Sequence, residues 1–288
     1  MISSRQPLRL AILEAERMLS AAGVDSPRVD AELLAAHVLG VERGRLPLIP
    51  LVDPPVIEAL HKLVRRRALR EPLQHITGWS AMGAISVSVG PGVFVPRPET
   101  ELLFEWALSV LPDAPPVIID LCTGSGVLAL SLANARPDAR VYAVERSSSA
   151  LSWARRNADE RRAAGDTPIS LLSGDACDPT LLSDLDGSVD LVVCNPPYVP
   201  EGTDVQPEVG VHDPHEAVFS GADGLDVIRC VVSAAARWLR PGGYVGIEHD
   251  DTHGSSVPSL LAARRVLTDV QGHKDLAGRP RFATARKA

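Results

Sequence analysis

From Val117 onward the chain alternates short apolar runs with stretches of helical period, and that alternation restricts the folds open to it. The runs Val117–Leu121, Val141–Glu145, Ile169–Leu172, Val189–Cys194 and Tyr244–Glu248 have strand length. Between them, Val127–Ala135, residues 150–162 and residues 225–239 carry apolar positions at helical spacing. Strands that alternate with helices pack as a parallel sheet covered on both faces, so we expect an α/β, doubly wound, mostly parallel sheet. A turn at Pro241-Gly242-Gly243 precedes the Tyr244 run. The end of the chain, 266–270 and 281–284 around Gly278-Arg279-Pro280, reads as a final strand pair.

Residues 1–77 differ. Leu8, Ala11, Ile12, Ala15, Met18 and Leu19 fall at helical spacing, as do Ala31, Leu33, Leu34, Ala35, Val38 and Leu39. Breaks fall at Gly23, Pro27, Gly40 and Pro47. Asp53 before Pro54-Pro55 reads as an N-cap with proline in the first turn, opening a helix that runs to about Arg70. A small helical bundle is the expectation, and the run Arg65-Arg66-Arg67 with Arg70 reads as a solvated helix face. Residues 78–96 form a connector of hairpin type around Ile85-Ser86-Val87-Ser88-Val89, and residues 97–288 form the larger domain, its first helix opened by Pro96 to Glu101.

Hydrophobic residues at 45% and charged residues at 23% are ordinary globular values, which excludes disordered and collagen-like chains. The net charge of −7 is unevenly spread: residues 1–77 hold 11 Lys and Arg against 9 Asp and Glu, and the remainder 18 against 27. An acidic larger part argues against a nucleic acid as the direct substrate. Cys122, Cys177, Cys194 and Cys230 have no metal-ligand spacing, so reduced thiols and no metal are expected. With no signal peptide and no run of membrane-spanning length, a cytoplasmic protein is expected, and with no long heptad or uncovered apolar strand edge a monomer is the default.

Chemistry concentrates where the Val189–Cys194 run ends, at Asn195-Pro196-Pro197-Tyr198. Ligands bind at the carboxyl ends of strands in open α/β sheets. There the Asn195 side-chain oxygen and the Pro196 carbonyl can accept two hydrogen bonds from a planar NH2, while the Tyr198 ring lies against a flat group. The same four residues also make an ordinary strand-ending turn. His212 and His215 follow in the next loop and read as polar surface.

Residues 122–127 read Cys-Thr-Gly-Ser-Gly-Val, which is not the Gly-x-Gly-x-x-Gly of dinucleotide folds. Asp120, Thr123, Gly124, Ser125 and Gly126, followed by Glu145, Asp175 and Asn195 at successive strand ends, instead match the order expected of an S-adenosylmethionine pocket. Glu145 suits a ribose diol and Asp175 an adenine amino group.

Taken together, the motifs resemble those of the release-factor glutamine methyltransferases. The resemblance runs through Glu71-Pro72-Leu73-Gln74-His75-Ile76-Thr77-Gly78, Phe94-Val95-Pro96-Arg97-Pro98-Glu99-Thr100-Glu101, Asp120-Leu121 with Thr123 to Gly126, Asn195 to Tyr198, and Asp275-Leu276-Ala277-Gly278-Arg279. It implies a class I, Rossmann-like methyltransferase sheet ending in an antiparallel strand, S-adenosylmethionine as cofactor and no metal. It also implies a helical domain that docks peptide chain release factors, whose Gly-Gly-Gln glutamine is methylated on its side-chain nitrogen. Asn195, Pro196 and Tyr198 would then be catalytic, with Pro197, Phe94, Arg97 and Glu99 shaping the substrate side. Two positions depart from the family pattern. Cys122 stands where glycine is common and narrows the space near the methionine moiety, and Ala176 stands where many members have an aromatic ring to stack on adenine. An adenine-N6 nucleic-acid methyltransferase uses the same grip and is the alternative.

Overall fold

The computed structural model describes residues 5–288. Gln6–Pro7 (β1) leads into Leu8–Ala21 (α1), followed by Pro27–Leu39 (α2), Leu51–Val52 (β2), which pairs with β1, Pro54–Ala68 (α3) and the short Leu73–Thr77 (α4). Leu8, Ile12, Leu19, Leu34, Leu60 and Val64 interlock as the core of this bundle. Pro27 and Pro54 sit at helix starts, where proline's fixed φ is already helical and its missing N–H costs nothing. Asp53 does precede α3, but its carboxylate accepts from Arg5 and does not cap the helix.

The arginine run corrects an expectation. Only Arg65 of the four is fully exposed; Arg66 pairs with Glu71. Arg67 is buried and donates to Asp30 at 2.7 Å and to Glu208 at 2.7 Å, while Arg70 holds Glu208 through two further bonds. Glu208 belongs to a turn, Glu208–His212, far along the sequence. The chain divides into two compact units, one made of the chain through Trp79 together with Gln206–His212, the other of Ser80–Val205 and Asp213–Ala288.

The hairpin of Trp79–Met82 (β3) and Ile85–Ser88 (β4) opens the second unit from Ser80 onward, followed by Thr100–Val110 (α5). Its sheet is built from Val117–Leu121 (β5), Arg140–Glu145 (β6), Ser170–Ser173 (β7), Val189–Cys194 (β8) and Leu239–Glu248 (β9), all parallel. Helices Val127–Ala135 (α6), Ser148–Ala163 (α7), His215–Val218 (α8) and Asp226–Trp238 (α9) lie between them, and Ser256–Ala262 (α10) follows the last. Leu267–Lys274 (β10) and Pro280–Lys287 (β11) finish the sheet in antiparallel sense, giving the order β10-β11-β9-β8-β5-β6-β7.

Alternate residues of each central strand serve opposite cores, as a strand covered on both faces requires. Ile119, Leu121, Val192 and Cys194 face α9 and α10 residues such as Ile228, Trp238 and Leu261; Ile118, Leu191 and Val193 face α5, α6 and the hairpin. The turn expected at residues 241–243 is instead part of β9, with a register shift opposite Val189/Leu191. At Gly243 a Cβ would meet the Val189 carbonyl at 2.8 Å, so only glycine lets the two strands close there.

Candidate active site

The five parallel strands all end at one edge. Register pairs Leu121 with Val144 and with Cys194, Glu145 with Ser173, and Cys194 with Ile247. From β5 the chain winds outward through β6 and β7 and then reverses to β8 and β9, so the reversal lies between β5 and β8. This is where an open α/β sheet leaves a crevice. Residues 122–126 and the tetrad at 195–198 flank it.

The 122–126 turn is tight. Cys122, Gly124 and Gly126 have positive φ of 55°, 58° and 83°, and Gly126 N–H donates to the Thr123 carbonyl. Asp120 is buried beneath the turn and takes the Thr123 hydroxyl at 2.5 Å. Burial pushes its carboxyl up to about 7 against the opposing hydrogen bonds from Thr123 and the Ala129 backbone. Asp120 therefore braces the loop. Glu145 accepts from Gly124 N–H at 2.8 Å and from Ser147 N–H at 2.8 Å, which fixes its carboxylate beside the glycine turn. Ser125 Oγ is buried with no hydrogen-bond partner among the described residues. A glycine cradle, an anchored carboxylate and an orphaned hydroxyl are the features a nucleoside-bearing cofactor such as S-adenosylmethionine needs.

Asp175 accepts from Cys177 N–H at 2.8 Å and reaches Arg146 at 3.4 Å, and it remains partly exposed. Ala176 is buried against Leu121 and Val144 and offers no ring. Cys177 and Cys230 are joined by a disulfide, so the expectation of reduced thiols fails for this pair; Cys122 and Cys194 are free. Packing of α9 brings the two α-carbons to 4.9 Å across 53 residues of sequence, a proximity that cysteine spacing does not encode.

In the tetrad, Pro196 and Pro197 are buried and Asn195 and Tyr198 half-buried. Tyr198 and Val199 N–H both donate to the Val218 carbonyl, and Ser220 N–H donates to Val199 O, so residues 218–220 clamp the turn. Asn195 Nδ2 donates to Thr100 Oγ1 at 3.1 Å. Its Oδ1 has no protein donor among the described residues. The Tyr198 hydroxyl donates to Glu248 Oε1 at 3.2 Å, tying down the ring, which packs against the core on the α9 side.

Phe94, Arg97 and Glu99 lie just before α5. The Arg97 guanidinium stands 5.0 Å from the Phe94 ring centroid and donates to Asp213 Oδ2 at 2.6 Å, while Asp213 Oδ1 accepts from Val95 N–H. Asp213 thus pins the segment that carries both residues. Glu99 occupies the N-cap position of α5 without capping it. His215 pairs with Glu201 and stacks on Phe219.

Three residues of this constellation were missed in the sequence reading: Thr100, Asp213 and Glu248. Thr100 lay inside a quoted motif without a role. Glu248 carried one signal, an acid ending an apolar strand at the ligand edge.

A family model described as the PrmC N-terminal domain matches residues 11–78, and one described as the methyltransferase small domain matches residues 90–212. The chain is 53% identical over 280 residues to the release factor glutamine methyltransferase of Mycolicibacterium smegmatis, covering 97% of this chain and 98% of that one. It is 40% identical over 272 residues to a 4-amino-L-phenylalanine/4-methylamino-L-phenylalanine methyltransferase of Streptomyces pristinaespiralis, covering 91% and 90%. Among solved structures, the hMettl16 catalytic domain in complex with the MAT2A 3'UTR hairpin 6 aligns with a TM-score of 0.54 at 14% identity, over 70% of this chain and 75% of that one, a likeness of fold. With the helical unit, the glycine turn and the Asn-Pro-Pro-Tyr edge all in place, identity at this level over nearly the full length means that the chain belongs to the release factor glutamine methyltransferase family.

Proposed function

We propose that this protein transfers a methyl group from S-adenosylmethionine to the side-chain amide nitrogen of the glutamine in the Gly-Gly-Gln motif of peptide chain release factors. The observation that carries the reading is Asn195: its Nδ2 is engaged by Thr100, so its oxygen is the group left to meet a ligand at the sheet's switch point. S-adenosylmethionine supplies a methyl group already activated on a sulfonium, so the protein's contribution is mainly position. Gly124, Gly126 and Ser125 would receive the cofactor's methionine part, with Cys122 and Thr123 completing the turn and Asp120 bracing it. Glu145 would receive the ribose, and Asp175 with Ala176 the adenine.

On the substrate side, Asn195 Oδ1 and the Pro196 carbonyl accept the two N–H bonds of the amide. Accepting both returns electron density to a nitrogen whose lone pair is delocalised. Pro197 stiffens the turn, and Tyr198 packs on the amide plane. Phe94 and Arg97, fixed by Asp213, form the approach to that site, with Glu99 beside them. The helical unit serves as the docking surface for the release factor, and the enzyme acts as a monomer in the cytoplasm, where that substrate is made.

The relative that acts on 4-amino-L-phenylalanine supports a second reading, because an arylamine is also a planar NH2. Radiolabelled S-adenosylmethionine offered with an unmethylated release factor, with 4-amino-L-phenylalanine and with double-stranded DNA separates the readings. Label in the release factor alone is expected. Label in the arylamine or the DNA, with none in the release factor, would overturn the proposal.

A further inference from the structure

Glu248 ends β9 at 1% exposure, and neither the cofactor nor the substrate expectation uses it. It receives the Tyr198 hydroxyl at 3.2 Å, and the Thr100 side chain lies close enough to hold its carboxyl down. Thr100 Oγ1 in turn accepts from Asn195 Nδ2. A hydroxyl has a single proton to give. Once Thr100 gives it to the carboxylate, Thr100 can only accept from Asn195, and the Asn195 amide is turned with its nitrogen inward and its oxygen outward. The direction of each bond follows from the charge at the far end.

We propose that Glu248 and Thr100 are positioning residues that decide which face of the Asn195 amide meets the substrate. The idea rests on the methyl-transfer reading above. A protonated Glu248 instead donates to Thr100, the Thr100 proton turns toward Asn195, and the amide flips to accept inward and present its NH2 outward. A donor then faces the donor N–H bonds of the substrate, and the grip is lost.

The surroundings leave this carboxyl able to change state near neutrality. Burial raises it, and Glu99 before α5 raises it further; the Thr100 side chain, the bond from Tyr198 and the charge of Arg281 on β11 pull the other way, for a balance at about 7. Arg281 is itself held by Asp275 at 3.0 Å. The Tyr198 phenol is pushed well above its ordinary value, by burial first and then by Glu248, so it stays a donor even with Arg281 and Arg97 nearby. Glu248 Oε2 has no hydrogen-bond partner among the described residues, so the charge is only partly compensated.

The test is kcat for methyl transfer to the release factor from pH 5.5 to 9 at saturating S-adenosylmethionine, with the Glu248→Gln profile separating Glu248 from Asp120, whose carboxyl is also raised to about 7. A carboxamide substrate does not ionise in that range, so an acid limb belongs to the enzyme. Wild-type kcat should fall about tenfold per pH unit below about 7, whereas Glu248→Gln should give a lower, flat profile. Thr100→Val should lose about tenfold or more in kcat, since it deletes the oriented hydrogen bond at constant shape. Thr100→Ser should restore it, with cofactor affinity by calorimetry unchanged in both. An acid limb that survives in Glu248→Gln, or Thr100→Val turning over like wild type, overturns the inference. Wild-type enzyme with no transfer to any release factor overturns the functional reading itself, and this inference with it.

Discussion

Single residues at this site are constrained by backbone as much as by chemistry. Cys122 adopts φ 55°, a left-handed conformation that glycine reaches without cost, which accounts physically for glycine being common at this place in the family. Gly224 is tighter still: at φ 73°, a Cβ there would lie 2.2 Å from the Tyr198 carbonyl oxygen and 2.9 Å from His253 Cε1. Gly224→Ala should therefore destabilise the fold by about 2–4 kcal/mol and displace the tetrad. Urea melts and turnover check this; a variant with the wild-type midpoint and rate would contradict it. The tetrad itself was legible because its residues are contiguous and close a recognisable strand. Thr100 and Glu248 were not, because their bonds to Asn195 and Tyr198 span 95 and 50 residues of sequence.

Among the elements, Val127–Ala135 and Val189–Cys194 are found as expected, whereas the last three strands run several residues longer than their apolar runs. Periodicity failed on charge. The arginines of α3 read as solvated because a helix face dense in cations is usually wet, yet Arg67 and Arg70 converge on Glu208, whose position is set by a turn about 140 residues away. Burial alone would raise the Glu208 carboxyl, but the bonds from Arg70 and Arg67 outweigh it and bring it down to about 2 from its ordinary 4.5. A carboxyl lowered on folding gives stability that is complete above its ordinary value and lost as pH falls toward its folded value. The urea midpoint of the wild-type helical unit should accordingly drop between pH 5 and pH 2.5. Glu208→Ala, which leaves Arg67 buried without that partner, should cost about 3–5 kcal/mol at pH 7. An unchanged midpoint in the variant at pH 7 would refute the role given to this cluster.

At the scale of the whole molecule, the sequence exposed the two-part plan and the terminal strand pair, since both follow from the order of periods along the chain. It could not expose that Gln206–His212 packs with the helical unit, because that segment has no period of its own. The Cys177–Cys230 link was equally invisible. Closing a loop of that length should stabilise the oxidised protein by about 4 kcal/mol. Thiol titration of the denatured, unreduced protein should find only Cys122 and Cys194, and dithiothreitol should lower its thermal midpoint; four reactive thiols before reduction would contradict the link. Among the described residues no helix is long and apolar enough to cross a membrane. The central claim is that the Asn195 tetrad grips a carboxamide, and the most direct measurement is tandem mass spectrometry of a release factor after incubation with S-adenosylmethionine and either wild type or Asn195→Ala. The account predicts one added methyl on the Gly-Gly-Gln side-chain nitrogen with wild type. With Asn195→Ala it predicts a loss of about a hundredfold or more at retained cofactor binding. A methyl found on any other atom, or equal methylation by the variant, would contradict it.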